Sequence, residues 1–192
     1  MTEQLILAGF DAPPRDRLLF VIFPNADAPA QIVRLAREKR GEHRLRGRPL
    51  AADRLHVTLH HLGDYDGLPR DRVAAAWEAA EIVVMPPFDI VLDRTASFSH
   101  GERNRPFVLL GSGGVAALTA FQRALGATMT RVGLGRWAKP QFTPHVTMLY
   151  DDRCVEEQAV EAVGWTAREF VLVHSQLGQT RHIVLGRWPL RG

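Results

Sequence analysis

The stretch TPHVTML, residues 143–149, repeats a pattern that occurs once earlier in the chain, as HVTL at residues 56–59. Both copies read His-Val-Thr followed by a large apolar residue. Residues two apart in a β-strand point to the same face, so each copy places an imidazole beside a hydroxyl. The two histidines stand 89 positions apart in a chain of 192 residues. We therefore expect two similar halves that each supply one His-Thr pair to a shared cleft.

The composition is that of an ordinary folded protein, with 46% apolar and 8% aromatic residues. The chain contains no run of 18 apolar residues and no start resembling a signal peptide, so no membrane span is expected and the cytoplasm is the default location. The single Cys154 excludes an internal disulfide and a cysteine-based zinc site. We expect a monomer that has no obligate protein partner.

The basic residues are almost all arginine. Of 24 basic side chains, only Lys39 and Lys139 are lysines, and the net charge is +3. The guanidinium fork suits phosphate, which dominates nucleic-acid affinity. A GC-rich genome would give the same composition, so arginine content leaves an RNA partner and a compositional bias equally open.

The order of predicted elements favours an α+β fold with mainly antiparallel sheets, because strands and helices do not alternate steadily. We expect one domain over residues 17–190, after a loosely ordered lead-in at residues 1–16. The patterns predict strands at residues 17–23, 55–62, 88–93, 95–98, 106–111, 142–150, 170–174 and 182–186, and helices at residues 27–41, 69–80 and 115–132.

Two histidines beside a phosphodiester supply an acid and a base. One imidazole can deprotonate the attacking oxygen while the other protonates the leaving oxygen. The threonine hydroxyls can donate to the non-bridging oxygens, so positioning and charge stabilisation need no metal. Either copy alone would be an ordinary β-rich tripeptide, since Val and Thr favour strands. The paired copies are what favour a function.

The sequence resembles the two-histidine phosphoesterase superfamily, in its branch of 2′-5′ RNA ligases and RNA 2′,3′-cyclic phosphodiesterases. That branch carries two His-x-Thr motifs. The first is typically followed by a Leu-Gly pair, as in HVTLHHLG at residues 56–63, and the second is preceded by Phe-x-Pro, as in FTPHVTM at residues 142–148. The similarity extends from about residue 17 to residue 190.

The resemblance implies a bilobal fold with two pseudo-symmetric lobes around a central cleft. It implies an enzyme that opens a terminal 2′,3′-cyclic phosphate on RNA without metal or other cofactor, in some relatives with 2′-5′ ligation. It assigns catalysis to His56 and His145 and phosphate binding to Thr58 and Thr147. Within that pair we expect His145 to act as the base and His56 as the acid, and the opposite assignment stays open. A phosphodiesterase acting on a small cyclic nucleotide and a non-catalytic RNA-binding or nucleotide-binding module are the alternatives.

Two departures from the family pattern matter. Many relatives have arginine where this chain has Tyr150, and Arg46 and Arg48 are candidate replacements. In a regular strand His60 would share the face of His56, so it is a candidate substrate contact, with a polar core position as its alternative. Phe20 is a candidate for stacking on a base, although a core role is commoner for such a residue. His182 stands where relatives often carry an aromatic residue, which argues against stacking there.

Overall fold

A computed structural model describes residues 15–98, 103–179 and 181–192. The predicted lead-in therefore lies outside the described residues up to residue 14. The strands are β1 (Asp16–Ile22), β2 (Val57–Tyr65), β3 (Phe88–Ser97), β4 (Arg105–Leu110), β5 (His145–Asp151), β6 (Gln158–Ala167), β7 (Glu169–Gln176) and β8 (Arg181–Pro189). The helices are α1 (Ala28–Glu42), α2 (Arg70–Ile82) and α3 (Ala116–Arg131), with short 3-10 turns at Ala52–Arg54 and Gly135–Trp137.

The described strands form one sheet in the order β6-β3-β4-β5-β2-β1-β7-β8, and all their pairings are antiparallel. β2, β1, β7 and β8 make one half of the sheet, and β5, β4, β3 and β6 make the other. The halves meet where β2 pairs with β5. The predicted α+β fold with mainly antiparallel strands is confirmed, and the two strands that carry His-Val-Thr lie at its centre.

The main core fills the space between the sheet and the helices. The predicted apolar stripe of α3 is fully buried there, at Leu118, Phe121, Leu125 and Met129. Smaller apolar clusters line the other face of the sheet, one in each half. They consist of Leu19, Val21, Val171 and Val173 with Phe23 in the first half, and of Ala96, Val108 and Leu110 with Phe98 in the second. The face without helices therefore carries two apolar walls.

Two elements differ from the sequence-based expectation. β6 was not predicted, because Glu161 and Gly164 interrupt its apolar alternation; it pairs along β3 from Phe88 to Thr95. Residues 95–98 could continue the strand predicted at 88–93 or pair with it; they continue it, and β3 runs without interruption to Ser97. In the described part of the chain no helix is long and apolar enough to cross a membrane.

A candidate active site where the two halves meet

The His-Val-Thr strands face each other across the centre of the sheet. Val57 of β2 pairs with Val146 of β5, and both side chains are completely buried in the core below. In an antiparallel register the next positions are also opposite, so His56 lies level with Thr147, and Thr58 with His145. All four point to the face opposite the core. The four residues therefore stand at the corners of a square. His56 and His145 occupy diagonally opposite corners, with Cα atoms about 7–8 Å apart.

The lead-in to β2 keeps the end of β5 in place. Leu50 donates its backbone N–H to the Met148 carbonyl at 2.8 Å, and the backbone N–H groups of Arg46 and Gly47 donate to the Asp151 carboxylate. A Cβ atom added to Gly47 would stand 1.9 Å from the backbone oxygen of Tyr150, so only glycine permits this approach. The segment that precedes β2 thus lies against the end of β5 through backbone hydrogen bonds from residues 46, 47 and 50.

Each catalytic candidate is held by a carbonyl two residues before it. Nδ1 of His56 lies 2.8 Å from the Arg54 oxygen, and Nδ1 of His145 lies 2.6 Å from the Thr143 oxygen. A carbonyl only accepts, so both Nδ1 atoms carry the hydrogen when the ring is neutral. The lone pair then lies on Nε2, at the far end of each ring from its own backbone. Both imidazoles present the same atom for proton transfer.

Burial makes both histidines weaker bases than free imidazole. Desolvation lowers the pKa of His56 below its ordinary 6.5, and the charges of Arg54 and His145 lower it further, against the hydrogen bond to the Arg54 carbonyl. Desolvation likewise lowers the pKa of His145, against the hydrogen bond to Thr143. Two neighbouring imidazoles in one cleft therefore do not both carry a proton at neutral pH.

Aromatic rings flank both histidines. The Phe98 ring lies 4.8 Å from the His145 ring, and the Phe23 ring lies 6.4 Å from the His56 ring, both edge to face. Each phenylalanine belongs to the apolar wall of its own half. These apolar rings contribute to the burial that desolvates the two imidazoles.

Arg54 and His182 join His56 in this cleft, and neither was selected from the sequence. The His182 ring lies 5.1 Å from the His56 ring at an interplanar angle of 75°. Burial lowers the pKa of His182 to about 4, with further lowering by the charges of His56 and Arg54 and an opposing effect of Asp53. Arg54 stands two residues before His56, a spacing that could have drawn attention to it. Only the folding of β8 reveals His182.

The expectation that His60 shares the face of His56 is wrong. A β-bulge interrupts β2, because Phe20 pairs with His60 while the next residue, Val21, pairs with Thr58. The extra residue, Leu59, reverses the alternation, so Leu59 and His60 are both buried on the helix side. His60 is only 4% exposed, and its Nε2 lies 2.9 Å from the backbone oxygen of Gln122 on α3. It is a polar core residue.

His61, expected on the opposite face, is instead the exposed member of the pair. Its Nε2 lies 2.7 Å from the Asp64 carboxylate, which Arg17 also binds. The proposed stacking role of Phe20 is likewise wrong, because its ring is completely buried against Phe170 and Trp188.

The remaining candidates surround the strand ends. Tyr150 is 44% exposed on β5, two positions beyond Met148. Arg46 is exposed, whereas Arg48 lines a groove of about 870 Å³ against α1. That groove is separate from the histidine pair and carries three further arginines, at positions 34, 37 and 40. Arg54 is thus the arginine whose charge acts on His56. In the described ranges no group of three or more His, Cys, Asp or Glu residues could hold a metal ion.

Comparison with known proteins agrees with this geometry. The chain is 30% identical over 180 residues to the RNA 2′,3′-cyclic phosphodiesterase of Escherichia coli K12, covering 91% of this chain and 96% of the relative. The apo crystal structure of E. coli LigT is similar with a TM-score of 0.71 and 27% identity, over 94% of this chain and all of the other.

The fold is shared more widely. The structure of TT0787 from Thermus thermophilus has a TM-score of 0.70 at 23% identity, covering 92% of this chain and 98% of that protein. A family model described as the 2′-5′ RNA ligase superfamily matches residues 23–180, which include both His-Val-Thr motifs. This chain belongs to the 2′-5′ RNA ligase superfamily.

Proposed function

We propose that this protein is an RNA 2′,3′-cyclic phosphodiesterase that opens a terminal cyclic phosphate to a 2′-phosphate without a metal ion. The observation that carries the proposal is the diagonal of His56 and His145, each with Nδ1 tied to a carbonyl and Nε2 available. Cα atoms about 7–8 Å apart on neighbouring strands let both imidazoles reach one phosphate from opposite sides. The E. coli relative that bears this activity in its name supports the same reaction class.

The reaction needs one proton acceptor and one proton donor on opposite sides of phosphorus. Neutral His145 accepts a proton from water through Nε2 as the water oxygen attacks phosphorus. The bond between phosphorus and the 3′-oxygen breaks, and protonated His56 donates its Nε2 proton to that oxygen. The products are a 2′-phosphate and a 3′-hydroxyl. His145 leaves the step protonated and His56 neutral, so exchange with solvent restores the starting state.

The threonines stabilise the charge that develops on phosphate. Thr58 lies level with His145 and Thr147 with His56, so the hydroxyls occupy the other diagonal of the square. A phosphate between the histidines then meets one hydroxyl on each side. Donors fixed on strands are positioned before the reaction starts, which is what makes such hydrogen bonds effective in a desolvated site.

The surroundings of the two histidines differ in charge. Burial lowers the pKa of His56, and the Arg54 charge lowers it further. A cation beside an imidazolium makes it a stronger acid, but it also reduces the protonated fraction of His56 at a given pH. Burial lowers the pKa of His145 against its hydrogen bond to the Thr143 carbonyl. The role of His56 as the acid is therefore part of the proposal itself, and the pH profile tests it.

The same site supports ligation. When a 5′-hydroxyl of a second RNA replaces water, His145 takes its proton and the oxygen attacks phosphorus. The bond between phosphorus and the 3′-oxygen breaks, and His56 protonates that oxygen, which leaves a 2′-5′ phosphodiester and a 3′-hydroxyl. No nucleotide is consumed, because the strained cyclic ester supplies the free energy.

The decisive experiment incubates the protein with an RNA oligomer that ends in a 2′,3′-cyclic phosphate, without ATP and with EDTA. We expect a 2′-phosphate, identified by its resistance to enzymes that require a 3′-phosphate. The variants His56→Ala and His145→Ala should not form it. A 3′-phosphate product, or loss of activity with EDTA, would contradict the proposal.

A further inference from the structure

The positive charge of Arg54 lies close enough to His56 to lower its pKa. Within the described part of the chain, Arg54 Nε and Nη1 and His182 Nδ1 are buried without a hydrogen-bond partner. Leaving such polar atoms unpaired is costly, and a bound ion or ligand is one way in which they are satisfied. Asp53 is the acidic group that acts on His182, and its side chain is exposed.

The location of these groups relative to the scissile phosphate is fixed by the histidine diagonal. The proposed cyclic phosphate lies between His56 and His145. β8, which carries His182, and β5, which carries His145, lie on opposite sides of β2 in the sheet, so His182 approaches His56 from the side away from His145. The Arg54 charge acts on both His56 and His182. His56 protonates the 3′-oxygen, which belongs to the terminal ribose. The nucleoside therefore lies on the His56 side, and the next anion along it is the phosphate on its 5′-oxygen.

We propose that Arg54 and His182 form a second anion subsite, which binds the 5′-phosphate of the nucleotide that carries the cyclic phosphate. Arg54 supplies a permanent charge, and His182 supplies a hydrogen-bond donor from its ring. In an RNA chain this 5′-phosphate is the last internucleotide linkage. The subsite would therefore distinguish RNA, and 5′-phosphorylated nucleotides, from a cyclic nucleotide with a free 5′-hydroxyl. This inference rests on the proposed reaction and on His56 as its acid.

The subsite explains two departures from the family pattern together. Relatives often carry an arginine where this chain has Tyr150, and often an aromatic residue where it has His182. In this protein an arginine instead precedes the first motif, and the residue on β8 that reaches His56 is one that can form hydrogen bonds. The half of the cleft that contains His56 thus carries the positive charge of Arg54.

The test compares two small substrates that differ only in this anion. One is a nucleoside 2′,3′-cyclic phosphate with a 5′-hydroxyl, and the other carries a 5′-phosphate. Because hydrogen bonds to charged groups are among the stronger ones, we expect the 5′-phosphate to lower KM at least about tenfold in the natural protein. The variants Arg54→Gln and His182→Phe should reduce that KM ratio to about threefold or less.

The variants differ in what they leave intact. His182→Phe keeps an aromatic ring against His56 and removes the ring nitrogens, while Arg54→Gln removes the charge. Arg131→Gln, at the exposed end of α3, makes the same charge change away from the cleft and should keep the full ratio. The ratio of the two KM values is unaffected by changes in His56 itself, because both substrates undergo the same chemical step.

The outcomes separate this inference from the proposed function. If neither small substrate nor the RNA oligomer is hydrolysed, the proposed function is overturned. Hydrolysis of both with equal KM overturns the second subsite and leaves the function standing. A 5′-phosphate preference that survives in both Arg54→Gln and His182→Phe also overturns the subsite, because the anion is then bound elsewhere.

Discussion

Val57 and Val146 lie opposite each other where the two halves of the sheet join, and neither is exposed to solvent. This pair sets the register between β2 and β5. A slip of either strand by one residue would turn its His and Thr side chains into the core. The site therefore depends on the register of one strand pair, and the predictions below treat the motifs as parts of a single arrangement.

Removing either histidine should abolish turnover while leaving the fold intact. We expect His56→Ala and His145→Ala each to lower kcat by about 10²–10⁴, the range typical of one general acid or base. Both rings are only partly buried, so far-UV circular dichroism should be unchanged. His61→Ala is the matched control, because His61 belongs to the same strand but is exposed. A kcat within threefold of the natural protein for either catalytic variant would contradict the mechanism.

The pH dependence of kcat/KM should be bell-shaped and displaced to the acidic side. The active form needs protonated His56 and neutral His145. Activity is therefore lost below the pKa of His145 and above the pKa of His56. Burial lowers both pKa values below 6.5, so we expect the maximum below pH 6.5. Rates measured from pH 4 to pH 9 test this, and a maximum above pH 7 would refute it.

Arg54→Gln should identify which limb of that profile belongs to His56. The substitution leaves burial in place and removes the charge that additionally lowers the His56 pKa. The basic limb should then move to higher pH while the acidic limb, set by His145, stays in place. Titration of the histidine ring signals by NMR gives the same information in the free protein. Movement of the acidic limb alone would reverse the roles of the two histidines.

His60 should matter for stability and not for chemistry. His60→Ala removes a buried ring that contacts Gly126 and hydrogen-bonds the Gln122 carbonyl. We expect a loss of about 2–4 kcal/mol in the free energy of unfolding, measured with urea. The kcat of the folded variant should stay within about threefold of the natural value. A large loss of kcat with unchanged stability would show that His60 faces the substrate after all.

The ion pair of Arg17 and Asp64 should stabilise the protein at pH 6 but not at pH 2. Arg17 holds the Asp64 carboxyl with two hydrogen bonds of 2.7 Å and lowers its pKa from 3.8 to about 2. Because the pKa is lower in the folded state, the stabilisation is complete above pH 3.8 and is lost as the pH falls towards 2. Allowing for solvent screening, we expect Asp64→Asn to cost about 1 kcal/mol at pH 6.

The matched control for that measurement is the exposed pair of Arg94 and Glu157, whose N–O distance is 3.0 Å. Glu157→Gln should change the free energy of unfolding by less than about 0.5 kcal/mol at either pH. Equal losses at pH 6 and pH 2 in Asp64→Asn would mean that the carboxylate acts through packing and not through its charge.

The sequence predicts most of the fold because its elements have strong local signals. The α3 stripe and the β1 run, for example, lie within a residue or two of their predicted ends. β6 lacked such a signal, since its outward positions mix polar and small residues. Its place beside β3 depends on pairing between residues distant in the chain, which no local pattern encodes.

The candidate site likewise contains residues that local patterns predict and residues that only the tertiary structure places there. The relation between His56 and Thr58, two residues apart, follows from strand geometry and could be predicted. The placement of His60 could not, because a bulge in β2 depends on how β1 pairs with it. His182 reaches the site only through the arrangement of four neighbouring strands. Residues brought in by tertiary structure are those that sequence reasoning passed over.

The two carbonyls that hold His56 and His145 have an evolutionary consequence. In many acid-base sites a carboxylate side chain orients the histidine, and one substitution can remove it. Here the anchors are main-chain atoms of Arg54 and Thr143, which every amino acid possesses. Side chains at both positions are therefore free to vary while the proton-transfer geometry persists. A substitution at position 54 can therefore alter substrate preference while the backbone carbonyl still holds His56.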